Sequence, residues 1–190
     1  MKHLILLFCL LYSYAVIRYH IGKELGFEYI FFVINKAIAW TAATCLGLSV
    51  LTLKKTYPSK RFFGISSFTL SLFHICLTLI LAVVGFFPDY YFSSGISNLG
   101  LTILITGILT ILLMIFPLLT SLFPANYPKT WIKLGKFALF VNILHPLIIG
   151  IKNWWTPGNW PLFLPPITLL AVLIYALILL IYWKQKRASQ

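Results

Sequence analysis

The chain has 190 residues, 61% of them hydrophobic and only 9% charged, with a mean hydropathy of +0.96. Soluble domains carry about a quarter charged residues, so the composition excludes a water-soluble globular protein, and the length leaves room for one membrane domain and no second core. The net charge of +12 gathers in short loops and offers no basic face with interleaved aromatics, which excludes nucleic acid as a partner and leaves the lipid bilayer.

About 20 apolar residues are needed to cross a bilayer as a helix. Six segments answer to that description, at residues 4–19, 29–53, 62–87, 99–123, 131–151 and 167–183, and the predicted fold is an all-α bundle of six transmembrane helices. The first is the weakest, since Arg18 and His20 close it and Lys2 followed by an apolar run also resembles a secretory signal; we read it as a span. In the second, Lys36 interrupts the run Ile34-Asn35-Lys36-Ala37, about 10 Å from the outer end by helix rise. The third and fifth contain His74 and His145. Pro117 late in the fourth span and Pro146 in the fifth each remove a backbone hydrogen bond, and Pro165-Pro166 marks the start of the sixth. Cys9, Cys45 and Cys76 have no paired spacing and read as small buried hydrophobes.

Charge sets the orientation. With a cytoplasmic N-terminus the inner side holds Lys2, Lys54, Lys55, Lys60, Arg61, Lys129, Lys133, Lys136, Lys184, Lys186 and Arg187, against Lys23 and Lys152 outside. Eleven to two is the bias expected of short cytoplasmic loops, so both termini are expected inside. Trp154, Trp155 and Trp160 in the last outer loop read as an interfacial aromatic belt.

Only His74 and His145, of four histidines, lie well inside apolar segments. Ionisable side chains there are expensive and mark function. By helix rise both lie about 20 Å from the inner ends of their spans, and two imidazoles at one depth on separate helices suggest axial ligands for a haem iron. Each heads a stripe of small or weakly polar residues, Gly64, Ser67, Ser71 and Thr78 around His74, and Gly135, Ala138 and Asn142 before His145. Such stripes leave room for a flat macrocycle and equally allow close helix packing. Lys36 is either a snorkelling lysine or a countercharge for a haem propionate or another anion, and Arg18 is a second candidate for that role. The three carboxylates, Glu24, Glu28 and Asp89, fall in outer loops, which disfavours a proton-coupled transporter.

The pattern from Asn35 to Ile151 resembles the ferric-reductase-like transmembrane family, which includes the haem-binding membrane subunit of the periplasmic methionine-sulfoxide reductase system. The resemblance is carried by Arg61-Phe62-Phe63-Gly64-Ile65 before His74, by Phe116-Pro117-Leu118-Leu119-Thr120-Ser121 closing the fourth span, and by Trp131-Ile132-Lys133-Leu134 opening the fifth. It implies a cytochrome b-type electron-transfer subunit in a bacterial inner membrane, with His74 as a haem ligand. Gly135 stands where the family commonly has another ligand, Gly64 offers none opposite it, and His145 falls about one turn before the family's further histidine. The expectation is therefore one haem b per chain, bound by His74 and His145. The donor would be a quinol, a neighbouring subunit or a soluble reductase on a separate chain, so that any quinone or flavin is an additional cofactor. The alternative is a haem-less structural or accessory subunit of a larger membrane complex.

Overall fold

The computed structural model describes residues 2–20, 26–51, 57–87, 91–92 and 95–187. Lys23, Glu24, Lys54, Lys55 and Asp89 lie outside them. The described helices are α1 (Lys2–His20), α2 (Phe27–Leu51), α3 (Tyr57–Val83), α4 (Asn98–Leu122), α5 (Leu134–Trp154) and α6 (Ile167–Arg187). A two-residue antiparallel hairpin, β1 (Tyr91–Phe92) and β2 (Gly95–Ile96), precedes α4, with Tyr91 opposite Ile96. Helix satisfies every backbone group within one segment, as a lipid environment demands. Five stretches are long and apolar enough to cross a membrane, Tyr29–Leu51, Lys60–Val83, Asn98–Leu122, Lys129–Trp154 and Pro161–Gln185, while the apolar part of α1, Leu4–Tyr19, is shorter.

α2 is the centre of the bundle. It packs on α1, α3 and α6 and more lightly on α5, while α4 pairs with α5 and α5 with α6. Its buried residues include Val33, Asn35, Ala37, Trp40, Thr41, Ala42, Cys45 and Leu46, which occupy several faces of the helix. Small residues permit this: Gly47 lies directly against the Ile178 side chain of α6, and Ser67 of α3 donates to the Ala42 carbonyl at 2.7 Å. α3 and α4 instead present large apolar residues outward, such as Phe73, Ile80, Ile105 and Leu112, as helices in contact with lipid do.

Several boundaries differ from the sequence reading for identifiable reasons. α3 stops at Val83, although the apolar run continues to Phe87. Gly85 adopts φ +74°, its N–H bonds Ala82 O at 3.0 Å and Phe86 N–H bonds Leu81 O at 2.9 Å. That is a Schellman cap, which needs the left-handed conformation glycine supplies. The chain then folds back, and Phe86 packs on Phe32 with ring centroids 5.0 Å apart. At the fifth span, Lys129–Lys133 forms a 3-10 turn before α5 begins at Leu134, with Trp131 edge-on to Phe116 at 5.1 Å. Ser97 caps α4, accepting from Gly100 N–H at 3.0 Å. Pro117 and Pro146 sit inside continuous helices, and Ser121 and Thr120 donate to Pro117 O at 2.7 and 2.9 Å.

One expectation needs correction. Only Cys45 is buried; Cys9 and Cys76 are exposed on outer helix faces, because the thiol is apolar enough to face lipid. Trp154, Trp155 and Trp160 differ in their surroundings. Trp155 is exposed, whereas Trp154 donates to Thr168 Oγ1 at 3.0 Å and Trp160 to Asn153 O at 2.9 Å, tying the α5–α6 loop to the bundle.

Candidate functional site: two histidines in one cavity

His74 on α3 and His145 on α5 line the same cavity, of about 150 Å³. α3 and α5 are not among the principal packed pairs, and α2 and α4 close the cavity's sides with Asn35 and Lys36 and with Ile103, Gly107 and Ile111. The remaining lining mixes Ile75, Leu79, Leu104, Ile108 and Ile149 with the polar Ser71, Thr78, Thr110 and Asn142.

Each imidazole is held by a polar side chain from a neighbouring helix. Asn35, only 2% exposed, faces His74 Nδ1 through its Oδ1 at 2.7 Å and donates through Nδ2 to Thr78 Oγ1 at 2.9 Å. Thr78 uses its own hydroxyl proton on His74 O at 2.7 Å. Its oxygen can therefore only accept from Asn35, which turns the Asn35 carbonyl toward the ring. A carbonyl oxygen has no proton to give, so His74 Nδ1 must be the donor and Nε2 retains its lone pair.

The second ring repeats the logic. Thr106 Oγ1 lies 3.1 Å from His145 Nδ1 and directs its hydroxyl proton to the backbone of α4, at 3.0 Å from both Thr102 O and Ile103 O. With that proton on either carbonyl, Thr106 accepts from His145 Nδ1 and Nε2 keeps the lone pair. A Cβ at Gly107 would meet His145 Cε1 at an ordinary 3.5 Å, so the ring lies on α4 where only a small side chain would fit beneath it. Among the described residues, neither Nε2 has a hydrogen-bond partner. Imidazoles with Nδ1–H engaged and Nε2 free are in the form that ligates metals.

The donor set tests which metal centre fits. Among the described residues no group of three or more His, Cys, Asp or Glu could hold a metal ion, and a bare zinc-type site needs three or four protein ligands. Two neutral imidazoles in an apolar lining suit instead a metal whose other positions are taken by a macrocycle. The residues present fit a haem by donor chemistry.

The four predicted site residues divide. Lys36 lines the histidine cavity, with Nζ 5.1 Å from the Phe32 ring centroid. Arg18 does not reach it. It is buried in an adjacent vestibule, 5.2 Å from the Tyr19 ring centroid. The small-residue stripes divide as well: Ser71, Thr78 and Asn142 face the cavity, while Ser67 and Ala138, 1% and 0% exposed, serve helix packing. Gly64 and Gly135 both line a separate cavity of about 350 Å³ whose lining contains Lys60, Arg61 and Lys136 but no histidine. Sequence reading missed Asn35, Thr106 and Gly107 as positioning residues; an asparagine in mid-span was the one available signal. Compared with protein-family models and with curated proteins, the chain matches none.

Proposed function

We propose that the chain is a membrane cytochrome b-type subunit that carries electrons through one haem b, with His74 and His145 as the iron ligands. The observation that supports this is the pair of imidazoles in one apolar cavity, each with Nδ1 engaged by a neighbouring helix and Nε2 free. When bound, haem would supply one-electron chemistry. Asn35 and Thr106 fix ring orientation and tautomer, the isoleucines and leucines exclude water, and Lys36 places a positive charge at the cavity wall. These are the levers by which a protein tunes a haem's potential.

In this reading all six helices cross the membrane with both termini cytoplasmic. α1 has 19 residues, about 28 Å of helix, which spans a bilayer core of about 30 Å with its polar ends in the interfaces. The glycines at 64 and 135 leave the inner half without a second ligand pair, and about 20 Å of helix separates His74 from the cytoplasmic side. Electrons therefore enter from a quinol or a neighbouring subunit within the membrane rather than from a soluble flavoprotein.

A second reading, a haem-less accessory subunit of a larger complex, is favoured by the same hydrogen bonds, which satisfy one nitrogen of each ring and tie α2 to α3 and α4 to α5 without any ligand. Visible spectra of the purified protein, oxidised and then dithionite-reduced, separate the two. A reduced b-type spectrum with one haem per chain by pyridine haemochrome, lost in His74→Ala and His145→Ala, is the expected outcome. A featureless spectrum after expression with ample haem, or two haems per chain, refutes the single-haem cytochrome.

A further inference from the structure

Beside the histidine cavity lies a larger vestibule of about 510 Å³, bounded by α1, α2, the end of α5 and the α5–α6 loop. Lys36, Phe87 and Ile149 line both spaces and form the wall between them. The vestibule is unusual in its charge. Arg18 is 8% exposed, and its Nε is buried with no hydrogen-bond partner. Lys36 lines the same space. Among the described residues neither cation makes an ion pair. Burying an unpaired guanidinium is costly, and removing an uncompensated buried charge normally relieves a protein.

The rest of the lining is equipped with donors. Tyr19 Oη accepts from Ile167 N–H at 3.4 Å and Thr168 Oγ1 accepts from Trp154 Nε1 at 3.0 Å, so both hydroxyl protons are left to donate. Two cations and two spare O–H donors around a cavity of small-molecule size make a receptor for an oxyanion. We propose that this vestibule binds an oxyanion, a carboxylate or phosphate group, held by Arg18 and Lys36. The group belongs either to a small soluble molecule or to an anionic lipid headgroup reaching in from the adjoining leaflet. The site does not depend on haem, although its occupant would sit one side-chain layer from His74 and His145.

The test is thermal unfolding of the full chain in phosphatidylcholine nanodiscs, titrated with citrate or inorganic phosphate against chloride at matched ionic strength. A second arm uses nanodiscs doped with phosphatidylglycerol. Ligand that binds only the folded state raises the melting temperature saturably. A rise with citrate or phosphate assigns a soluble anion; a rise only with phosphatidylglycerol assigns a headgroup. In Arg18→Met the apparent affinity is expected to fall about tenfold or more, the loss of one charge-assisted hydrogen bond, while Arg18→Lys keeps part of it. Without anion, Arg18→Met is expected to melt no lower than the parent, because an unpaired buried charge has been removed.

Three outcomes overturn the proposal: no anion- or lipid-dependent shift in the parent, a shift that persists in both Arg18→Met and Lys36→Met, or an anion-free Arg18→Met that melts well below the parent, as pairing with a carboxylate of the chain would produce. Loss of haem from Arg18→Met alongside the first of these outcomes would assign Arg18 to a propionate. The melting response is read with or without haem, so failure of the cytochrome reading leaves this result intact.

Discussion

Asn35→Leu tests whether α2 positions His74. The substitution is close in size at a site only 2% exposed, so packing is largely conserved and the change is chiefly in polarity. Two interhelical bonds disappear, to His74 Nδ1 and to Thr78 Oγ1. Side-chain bonds between membrane helices average about 0.6 kcal/mol and reach about 1.7 kcal/mol, so the pair accounts for about 1–3 kcal/mol. The stranded His74 N–H adds a desolvation penalty of about 1–3 kcal/mol, reduced because the ring borders a cavity that can admit water. We expect a net loss of about 2–3 kcal/mol, read as reversible unfolding in mixed micelles under increasing sodium dodecyl sulfate. Thr78→Val in the Asn35→Leu background should add little, since its interhelical partner is already gone and only its bond to His74 O within α3 is left to lose, whereas Thr78→Val alone should cost about 1 kcal/mol. If His74 ligates haem iron, losing the residue that orients its ring also weakens haem retention about 10–100-fold, as for other partners of metal-ligating histidines. Stability within about 0.5 kcal/mol of the parent together with unchanged haem content would refute the assignment of Asn35 as the residue that sets the tautomer.

Gly107→Ala should be accepted, because a Cβ there meets His145 Cε1 at an ordinary 3.5 Å, whereas Gly107→Leu should push the ring off α4 and lower haem content. Equal haem content in both variants would mean that this glycine does not seat His145. At Gly85 nothing lies within 4 Å of a would-be Cβ, so Gly85→Ala isolates the backbone effect; strain at φ +74° should cost about 1 kcal/mol, and a neutral or stabilising result in the same unfolding assay would argue against the cap. For topology, single cysteines at Ser94 and Ser189, both outside the described residues, are placed in a cysteine-free background. Impermeant maleimide should label the first from outside and the second only after permeabilisation, and the reverse pattern at either site would reject the orientation.

Much of this protein was readable before any coordinates. The bilayer allows few backbone solutions, so apolar length alone located the five long helices and the shorter first one, and the depth argument brought His74 and His145 to one level. Boundaries were less legible where they depend on backbone conformation rather than hydropathy: Phe86 and Phe87 are as apolar as the helix before them, and only the left-handed turn at Gly85 separates them from α3. The site divided in the same way. That two imidazoles lie in mid-span follows from spacing along each helix. That they share a cavity, that Asn35 and Thr106 lie against their Nδ1 atoms, and that Arg18 lines the neighbouring vestibule while Lys36 borders both spaces are matters of how helices rotate and pair. Helical periodicity says which residues share a face but not which helix that face meets, and a small-residue stripe reads alike whether it packs, as Ser67 and Ala138 do, or lines a cavity, as Ser71 and Asn142 do. Tertiary packing resolves this because each buried polar group must find its partner on another helix, and those pairings select one rotation of every helix from the many that hydropathy allows.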